Sequence, residues 1–370
     1  MNPRGSKKKS VRELRQRIDK IDQRITHLLH QRGRVALEIV TAKGREKLST
    51  YDPSREKEVF EKVSNYLGPF PKRGIQAVFR EILSASRSLQ REIQVGYLGP
   101  QGTFTHEATL KHFGESASLM AIPRLSNVFR SLEQNELDYG VVPVENSLEG
   151  VVSETLDLLL ETPLKICAEI VLSVRHSLLT RERRLEEIQR VYSHPIALAQ
   201  CRRWLAENLP NVLKVGTEST AAAVQKILKE ETSAAIASPL AAKLYGIKPL
   251  RRNIQDRTED FTRFLILGRE EATPTSQDKT TLILSLKNKP GALYEALRPL
   301  ARARINLTKI ESRPAKSEPW SYLFFIDCDG NYRDQRLSEA LRKVETHCRF
   351  VKCMGSYPRG NTRELRSKSG

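Results

Sequence analysis

"HLLHQRGRVALEIVTAK", His27 to Lys43, places an arginine where an apolar residue is due. Upstream, Leu14, Ile18, Ile21, Ile25 and Leu28 step along the chain in fours and threes, and Val35 and Ile39 keep the rhythm past Arg32. That period predicts one long amphipathic helix with a guanidinium on its apolar seam. Burying an unpaired ion is costly, so Arg32 snorkels to solvent, meets a carboxylate on a neighbouring helix, or holds an anionic ligand. Lys43 lies eleven residues on, close to three turns, and shares the face of Arg32. Their Cα atoms are then about 16 Å apart at ~1.5 Å rise per residue, which leaves room for a small dianion between two long side chains.

Working outward from that helix, residues 11 to 93 keep a helical period and show no strand pattern. Asp52-Pro53 reads as an N-cap followed by proline at the first helical position. "YLGPFPKRG", Tyr66 to Gly74, breaks the pattern, so three helices are expected at about 11–43, 53–67 and 73–92. From Ile93 the texture changes. Strand-like runs at Tyr139 to Val144, Leu164 to Val174, Ala234 to Ala237 and Phe264 to Leu267 alternate with helical ones, the signature of an α/β domain. "REEATPTSQDK", Arg269 to Lys279, is a polar linker. Beyond it the order β-α-β-β-α-β predicts a ferredoxin-like unit. The expected division is a basic tail at 1–10, a helical domain at 11–93, an α/β domain at 94–270, a linker at 271–278, an α+β domain at 279–357 and a second basic tail at 358–370.

The chain has 370 residues, enough for two or three domains, with 39% apolar and 29% charged residues, as expected of a folded globular protein. No apolar run approaches the roughly 18 residues of a membrane span. The basic amino terminus has no apolar stretch behind it, which argues against a secretory signal. Five scattered cysteines without a close pair read as reduced thiols in a cytoplasm, and no metal site is expected. The net charge of +18 is dispersed, aromatics are only 6% and no basic run is interleaved with them, a pattern that suits small polyanionic substrates or simply solubility, and charge alone does not choose between these and nucleic acid.

Further polar clusters mark the ends of elements. "YLGPQGTFTHEA" carries Thr103 in a glycine turn; "VVPVENSLEG" ends a strand in Glu145, Asn146 and Ser147. "SHPIALAQC" opens a helix at Ser193 and carries Gln200, and "EDFTRF" sets Thr262 and Arg263 beside a strand. Polar residues at the carboxyl ends of strands and at helix starts are where α/β folds bind anions.

With these motifs the chain resembles three known families in sequence. Through "LRQRIDKIDQRI", "RGRVALEIVTAK", "YDPSREKEV" and "FREILSASRSLQ", residues 11 to 92 resemble the all-helical chorismate mutase domain. The resemblance implies an intertwined dimer in which Arg15 is lent to the partner chain and Arg32 is its same-chain counterpart, both on substrate carboxylates. It implies Lys43 and Gln90 at the ether oxygen, Asp52, Arg55 and Glu56 around the ring hydroxyl, and Ser86 at a carboxylate. Residues 94 to 270 resemble prephenate dehydratase, a two-lobed fold akin to periplasmic binding proteins with its site in the cleft. Thr262 would then assist the departing hydroxyl. Thr103, Glu145, Asn146, Ser147, Ser193, Gln200 and Arg263 would bind prephenate, with Glu218, Ser219 and Thr220 matching a further polar segment. Ile196 stands where glutamine is usual and Asp260 where asparagine often stands, so the aspartate adds negative charge near an anionic substrate. "PGALYEAL" and "IESRP" resemble the ACT domain, implying phenylalanine bound by Gly291, Ala292, Leu293, Glu311, Ser312, Arg313 and Pro314, with Tyr294 replacing the usual valine. The whole resembles the bifunctional chorismate mutase–prephenate dehydratase family. That implies a cytoplasmic homodimer, or a larger assembly, acting on chorismate and prephenate without cofactor and inhibited by phenylalanine. Two rivals remain: a metabolite-sensing regulatory protein, and a dehydratase whose helical block only dimerises.

Overall fold

The computed structural model describes residues 10–46, 51–66, 68–315 and 321–360, with side chains in the first helix up to residue 42. That helix, α1 (Val11–Glu46), is 36 residues long, about 54 Å at 1.5 Å per residue. A capping box opens it: Ser10 Oγ accepts from Glu13 N at 3.2 Å, and Glu13 accepts from Ser10 N at 2.8 Å. As expected, Asp52 caps α2 (Pro53–Ser64), and after the Pro/Gly break α3 (Lys72–Gln90) completes the domain. α1 packs on α3 near Gly33 and Leu89, but most of its apolar seam is bare. Val11, Leu14, Ile18, Ile21, Ile25, Leu28 and Val35 are 44–66% exposed.

The α/β domain follows as two lobes. The first runs β1 (Gln94–Leu98), α4 (Phe104–Phe113), β2 (Ser118–Ile122), α5 (Leu125–Glu133), β3 (Tyr139–Asn146), β4 (Gly150–Val151), α6 (Ser153–Glu161) and β5 (Lys165–Ser173). The second runs β6 (Ser177–Thr180), β7 (Arg190–Ser193), α7 (Pro195–Gln200), α8 (Arg202–Asn208), β8 (Leu213–Gly216), α9 (Thr220–Ile227), β9 (Ser233–Ala237), α10 (Pro239–Leu244) and β10 (Pro249–Arg252). The chain then returns to the first lobe as β11 (Phe261–Gly268), inserted antiparallel between β3 and β5 in the order β2-β1-β3-β11-β5. The second sheet has the order β10-β6-β9-β7-β8. Two strand connections therefore cross between lobes, and backbone bonds knit them: Val174 N to Asp260 O at 2.8 Å and Ile254 N to His176 O at 3.0 Å. The lobes also meet where Ser238 Oγ donates to Gly102 O at 2.8 Å. Gly102 has φ +87°, and a Cβ there would press on Ala241 at 3.3 Å, so glycine serves both the turn and the contact.

The carboxyl-terminal unit runs β12 (Asp278–Leu286), α11 (Ala292–Arg302), β13 (Leu307–Pro314), β14 (Tyr322–Asp329), α12 (Gln335–Glu345) and β15 (Cys348–Pro358), in the sheet order β13-β14-β12-β15. This is the expected ferredoxin-like order. Its central strand β12 is covered on both faces, whereas the edge strand β13 leaves alternate residues, among them Ile310 and Ser312, exposed. Leu282, Leu284, Ile326 and Cys328 pack under α11 and α12, while Ile283, Leu323, Phe325, Met354 and Tyr357 join the core of the first lobe. No helix among the described residues is long and apolar enough to cross a membrane.

Ions cross that second interface. Arg263 on β11 donates to Glu169 Oε2 at 2.7 Å, Asp327 Oδ2 at 2.6 Å and Tyr357 Oη at 3.0 Å. Lys279 Nζ bonds both Glu169 oxygens, at 2.8 and 3.0 Å. Burial alone would raise the Glu169 carboxyl, but Arg263, Lys279 and the Gly360 N–H hold it below the usual carboxylate range. Its contribution to stability is therefore present above the ordinary glutamate pKa and is lost as pH falls through the depressed value. Arg263→Met leaves Asp327 and part of Glu169 buried without their cation. The expected loss is about 3–5 kcal/mol, read from the denaturant midpoint at neutral pH and shrinking in acid. A variant as stable as the parent at neutral pH would contradict this account.

Candidate active sites

On the helical domain, Arg32 is half-buried where α1 crosses α3. Its Nη1 donates to Ser86 Oγ and, at 3.5 Å, to the Ile82 carbonyl, and Ser86 Oγ itself donates to Ile82 O at 2.6 Å. Burial lowers the arginine pKa and the charge of Glu56 partly offsets this. Among the described residues no carboxylate lies within ion-pair distance of Arg32. One turn beyond Ser86, Gln90 ends α3 with a buried Oε1 that has no hydrogen-bond partner.

The other expected members of this group are placed differently. Arg15 lies seventeen residues before Arg32 on the same unbroken helix, about 25 Å away along the axis, so one chain cannot bring them together. Lys43 belongs to α1, but its side chain lies outside the described residues. Asp52 Oδ1 accepts from Arg55 N at 3.0 Å as the cap of α2. Arg55 is 60% exposed and pairs with Glu58 at 2.7 Å. Glu56 is ion-paired with Arg87, a buried residue the sequence pattern did not single out.

Arg87 also donates to the Phe113 carbonyl at the carboxyl end of α4. A cation there complements the helix dipole and satisfies an otherwise free carbonyl. Beside it the Tyr51 hydroxyl bonds His112 Nε2. Burial, helped by Arg87, takes His112 down to about 3, while burial raises Tyr51, so neutral His112 accepts and Tyr51 donates. Gly114 terminates α4 at φ +76°, and a Cβ there would strike Ser84 at 2.5 Å, which lets α3 and α4 approach closely.

At the hinge between the lobes, Asn146 and Thr262 are register partners across β3 and β11. Asn146 Nδ2 donates to Thr262 Oγ1 at 3.0 Å and to Asp260 Oδ1 at 2.8 Å. Gln200 Oε1 bonds His176 Nε2 at 2.8 Å. His176 is buried, burial lowers its pKa, and its Nδ1 has no partner. Phe104, the first residue of α4, meets the His176 ring edge-on at 5.3 Å. Thr103 caps α4 through His106 N at 3.3 Å.

Four expected residues serve the scaffold. Glu145 and Arg263 are the next register pair along β3 and β11, so side-chain alternation turns them to the opposite face from Asn146 and Thr262. There Glu145 accepts from Lys309 at 2.8 Å and Arg263 joins the buried ion cluster. This corrects the expectation that they line the cleft. Ser193, fully buried, donates to Ile236 O at 2.7 Å, and His194, not Ser193, caps α7. Ser147 closes the turn by accepting from Phe261 N at 3.0 Å. Ser219 caps α9 and Ile196 is exposed.

In the last domain Gly291 caps α11 with φ +76°, followed by Ala292 and Leu293. The "ESRP" residues divide by strand parity. Glu311 and Arg313 pair with Phe325 and Leu323 on the face toward the first lobe, where Arg313 meets Asp157 at 3.3 Å. Ser312 and Pro314 share the helix-bearing face with Ile310. Of the expected seven residues, Gly291, Ala292 and Leu293 open α11, while the four on β13 are split between its two faces.

Comparison with known proteins bears on all three domains. The family models for chorismate mutase type II, prephenate dehydratase and the ACT domain match residues 14–91, 95–272 and 280–346. A bifunctional chorismate mutase/prephenate dehydratase of Aquifex aeolicus is 44% identical over 96% of this chain and 99% of its own. That of Stutzerimonas stutzeri is 42% identical over 94% and 98%. A solved prephenate dehydratase from Arthrobacter aurescens in complex with L-Phe, 36% identical, covers 72% of this chain and 90% of its own with a TM-score of 0.68.

Arg87→Lys tests the junction between helical and α/β domains. An ammonium lacks the planar fork needed to hold Glu56 and Phe113 O together. The expected loss is about 1–3 kcal/mol in unfolding free energy. Arg55→Lys, on an exposed pair, is expected to cost at most about 1 kcal/mol. Equal effects of the two substitutions would refute the role given to Arg87.

Proposed function

The chain belongs to the bifunctional chorismate mutase/prephenate dehydratase family, with a carboxyl-terminal ACT domain, and from that premise we propose which of its residues do the chemistry. The protein is an enzyme of phenylalanine biosynthesis. It rearranges chorismate to prephenate and converts prephenate to phenylpyruvate.

The first reaction is pericyclic, so the protein need only hold a chair-like conformer and stabilise negative charge growing on the ether oxygen. Arg32 binds a substrate carboxylate, and Ser86 holds its guanidinium in place. Gln90 and Lys43 donate to the ether oxygen, while Asp52, Arg55 and Glu56 surround the ring hydroxyl. Arg15 completes the site of a second copy. The observation that carries this reading is Arg32 itself: a half-buried cation bonded to a hydroxyl and a carbonyl, with no ion-paired protein carboxylate among the described residues.

A homodimer follows from the bare seam of α1. Fully burying one Val, Leu or Ile side chain is worth about 1.5–3 kcal/mol, and a second copy of the helical domain is the surface that supplies that cover.

In the second reaction a carboxylate leaves as carbon dioxide while the ring hydroxyl departs. Thr262 keeps its proton and donates a hydrogen bond to that hydroxyl as it departs, stabilising the charge that gathers on the leaving oxygen, and Asn146 orients it. Gln200, fixed by His176, and Thr103 at the start of α4 line the same hinge. The ACT domain binds phenylalanine at Gly291 to Leu293, with Ser312 and Pro314 on the same face. Glu311 and Arg313 brace the domain interface.

The direct assay mixes the protein with chorismate and follows phenylpyruvate. Arg32→Ala is expected to lower mutase kcat/KM about a hundredfold, the value of a charge-assisted bond of ~3 kcal/mol, with turnover of added prephenate unchanged. Thr262→Ala should do the reverse, lowering only dehydratase turnover by about a hundredfold or more. Parallel loss of both activities in either variant would defeat the separate-site reading. Ile25→Glu, on the exposed seam, should give a monomer on size exclusion and abolish mutase turnover. A dimer with full mutase activity would overturn the assembly proposed here.

A further inference from the structure

We propose that Asp260 is a positioning residue of the dehydratase step: it takes one amide proton of Asn146 so that the other is delivered to Thr262 Oγ1. This rests on the reading of Thr262 as donor to the departing hydroxyl.

The Asn146 amide leaves no freedom of assignment. Its Oδ1 accepts from two backbone N–H groups, Leu148 at 2.9 Å and Glu149 at 3.0 Å. Backbone nitrogens only donate, so that atom is the oxygen. Nδ2 then spends its two protons on Asp260 Oδ1 and Thr262 Oγ1. All four bonding capacities of the amide are used. Thr262 Oγ1 is thereby an acceptor toward Asn146, and its own proton must point elsewhere. Among the described residues that hydroxyl makes no other bond, so the proton is left for a ligand.

Asp260 is what closes this arrangement. It is 0% exposed, fixed in the hinge by its carbonyl bond to Val174 N, and its Oδ2 has no partner. A buried carboxyl with half its acceptors unused is expensive, and folds keep such groups mainly where they serve a site. Burial raises its pKa, with the charge of Glu149 adding to the shift and the Asn146 bond opposing it.

The acceptor, not the charge, does the positioning. An amide oxygen in Asp260→Asn can take the same Asn146 proton. A leucine cannot, and the stranded N–H would pull Asn146 away from Thr262.

The test uses the full chain, with steady-state kinetics on prephenate and on chorismate. Asp260→Leu should lower dehydratase kcat about a hundredfold with KM for prephenate unchanged, because a donor is misaimed while the binding groups stay. Asp260→Asn should keep kcat within about threefold, the scale of one ordinary hydrogen bond. Mutase turnover should be unaffected in both. Removing an ionisable carboxyl whose pKa is raised on folding should also lift the thermal midpoint of Asp260→Asn at neutral pH, and the gain should vanish below the usual carboxylate range. Normal kcat in Asp260→Leu, or a hundredfold loss in Asp260→Asn, would each overturn the proposal. Should the leucine variant lose mutase activity through misfolding, Asp260→Ala repeats the test without added bulk, with the same expected loss. Thr262→Ala run alongside separates the two readings. If it keeps turnover, Thr262 is not the donor, while the contrast between leucine and asparagine still decides whether Asp260 acts through Asn146.

Discussion

Arg263 is a cation with almost no water, and much of the architecture follows from that. A guanidinium taken out of solvent must find carboxylates in good geometry, and those carboxylates must be satisfied in turn. Glu169 comes from the neighbouring strand of the first lobe, Asp327 and Lys279 from the sheet of the ACT domain, and Tyr357 and Thr281 fill the remaining hydrogen bonds. The ion cluster closes only when the ACT sheet lies flat against that lobe. The apolar residues around it then pack as one core across both domains. The central strand β12 is therefore buried on both faces and has no exposed residue.

One strand pairing separates chemistry from scaffold. Along β3 and β11 the pair Asn146–Thr262 faces the hinge, and the adjacent pair Glu145–Arg263 faces the ACT domain. The "ENS" and "TRF" motifs are contiguous in sequence, yet each is divided between two faces. The backbone that carries Thr262 is thereby anchored by ions one residue away.

The order of elements was legible in the sequence because each rested on a local signal: the 3.6 period of α1, the Asp52-Pro53 cap, the glycine and proline breaks, and the β-α-β-β-α-β order of the last domain. Arg32 was legible for the same reason, since a charge on an apolar seam violates a local rule. Partnerships over long sequence separations were not. Nothing near Arg87 signals that it bridges Glu56 and Phe113. Ser193 reads like a helix cap, but the chain turns one residue later and His194 takes that place. Strand alternation was the signal that could have separated Arg263 from Thr262 and Arg313 from Ser312, had the pairing partners been known. Arg15 is a different case, because the length of α1 alone puts it about 25 Å from Arg32 along the axis.

The contact between α3 and α4 bears on how such a protein could be shortened. Proteolysis after Gln90, or a gene that began at β1, would free a dehydratase whose Phe113 carbonyl had lost its guanidinium. The aromatic nest of His112, Phe113 and Tyr139 would also lose Tyr51. A free-standing descendant would have to evolve a substitute plug of its own, so the fusion of the two catalysts is written into their interiors as well as into the peptide that joins them.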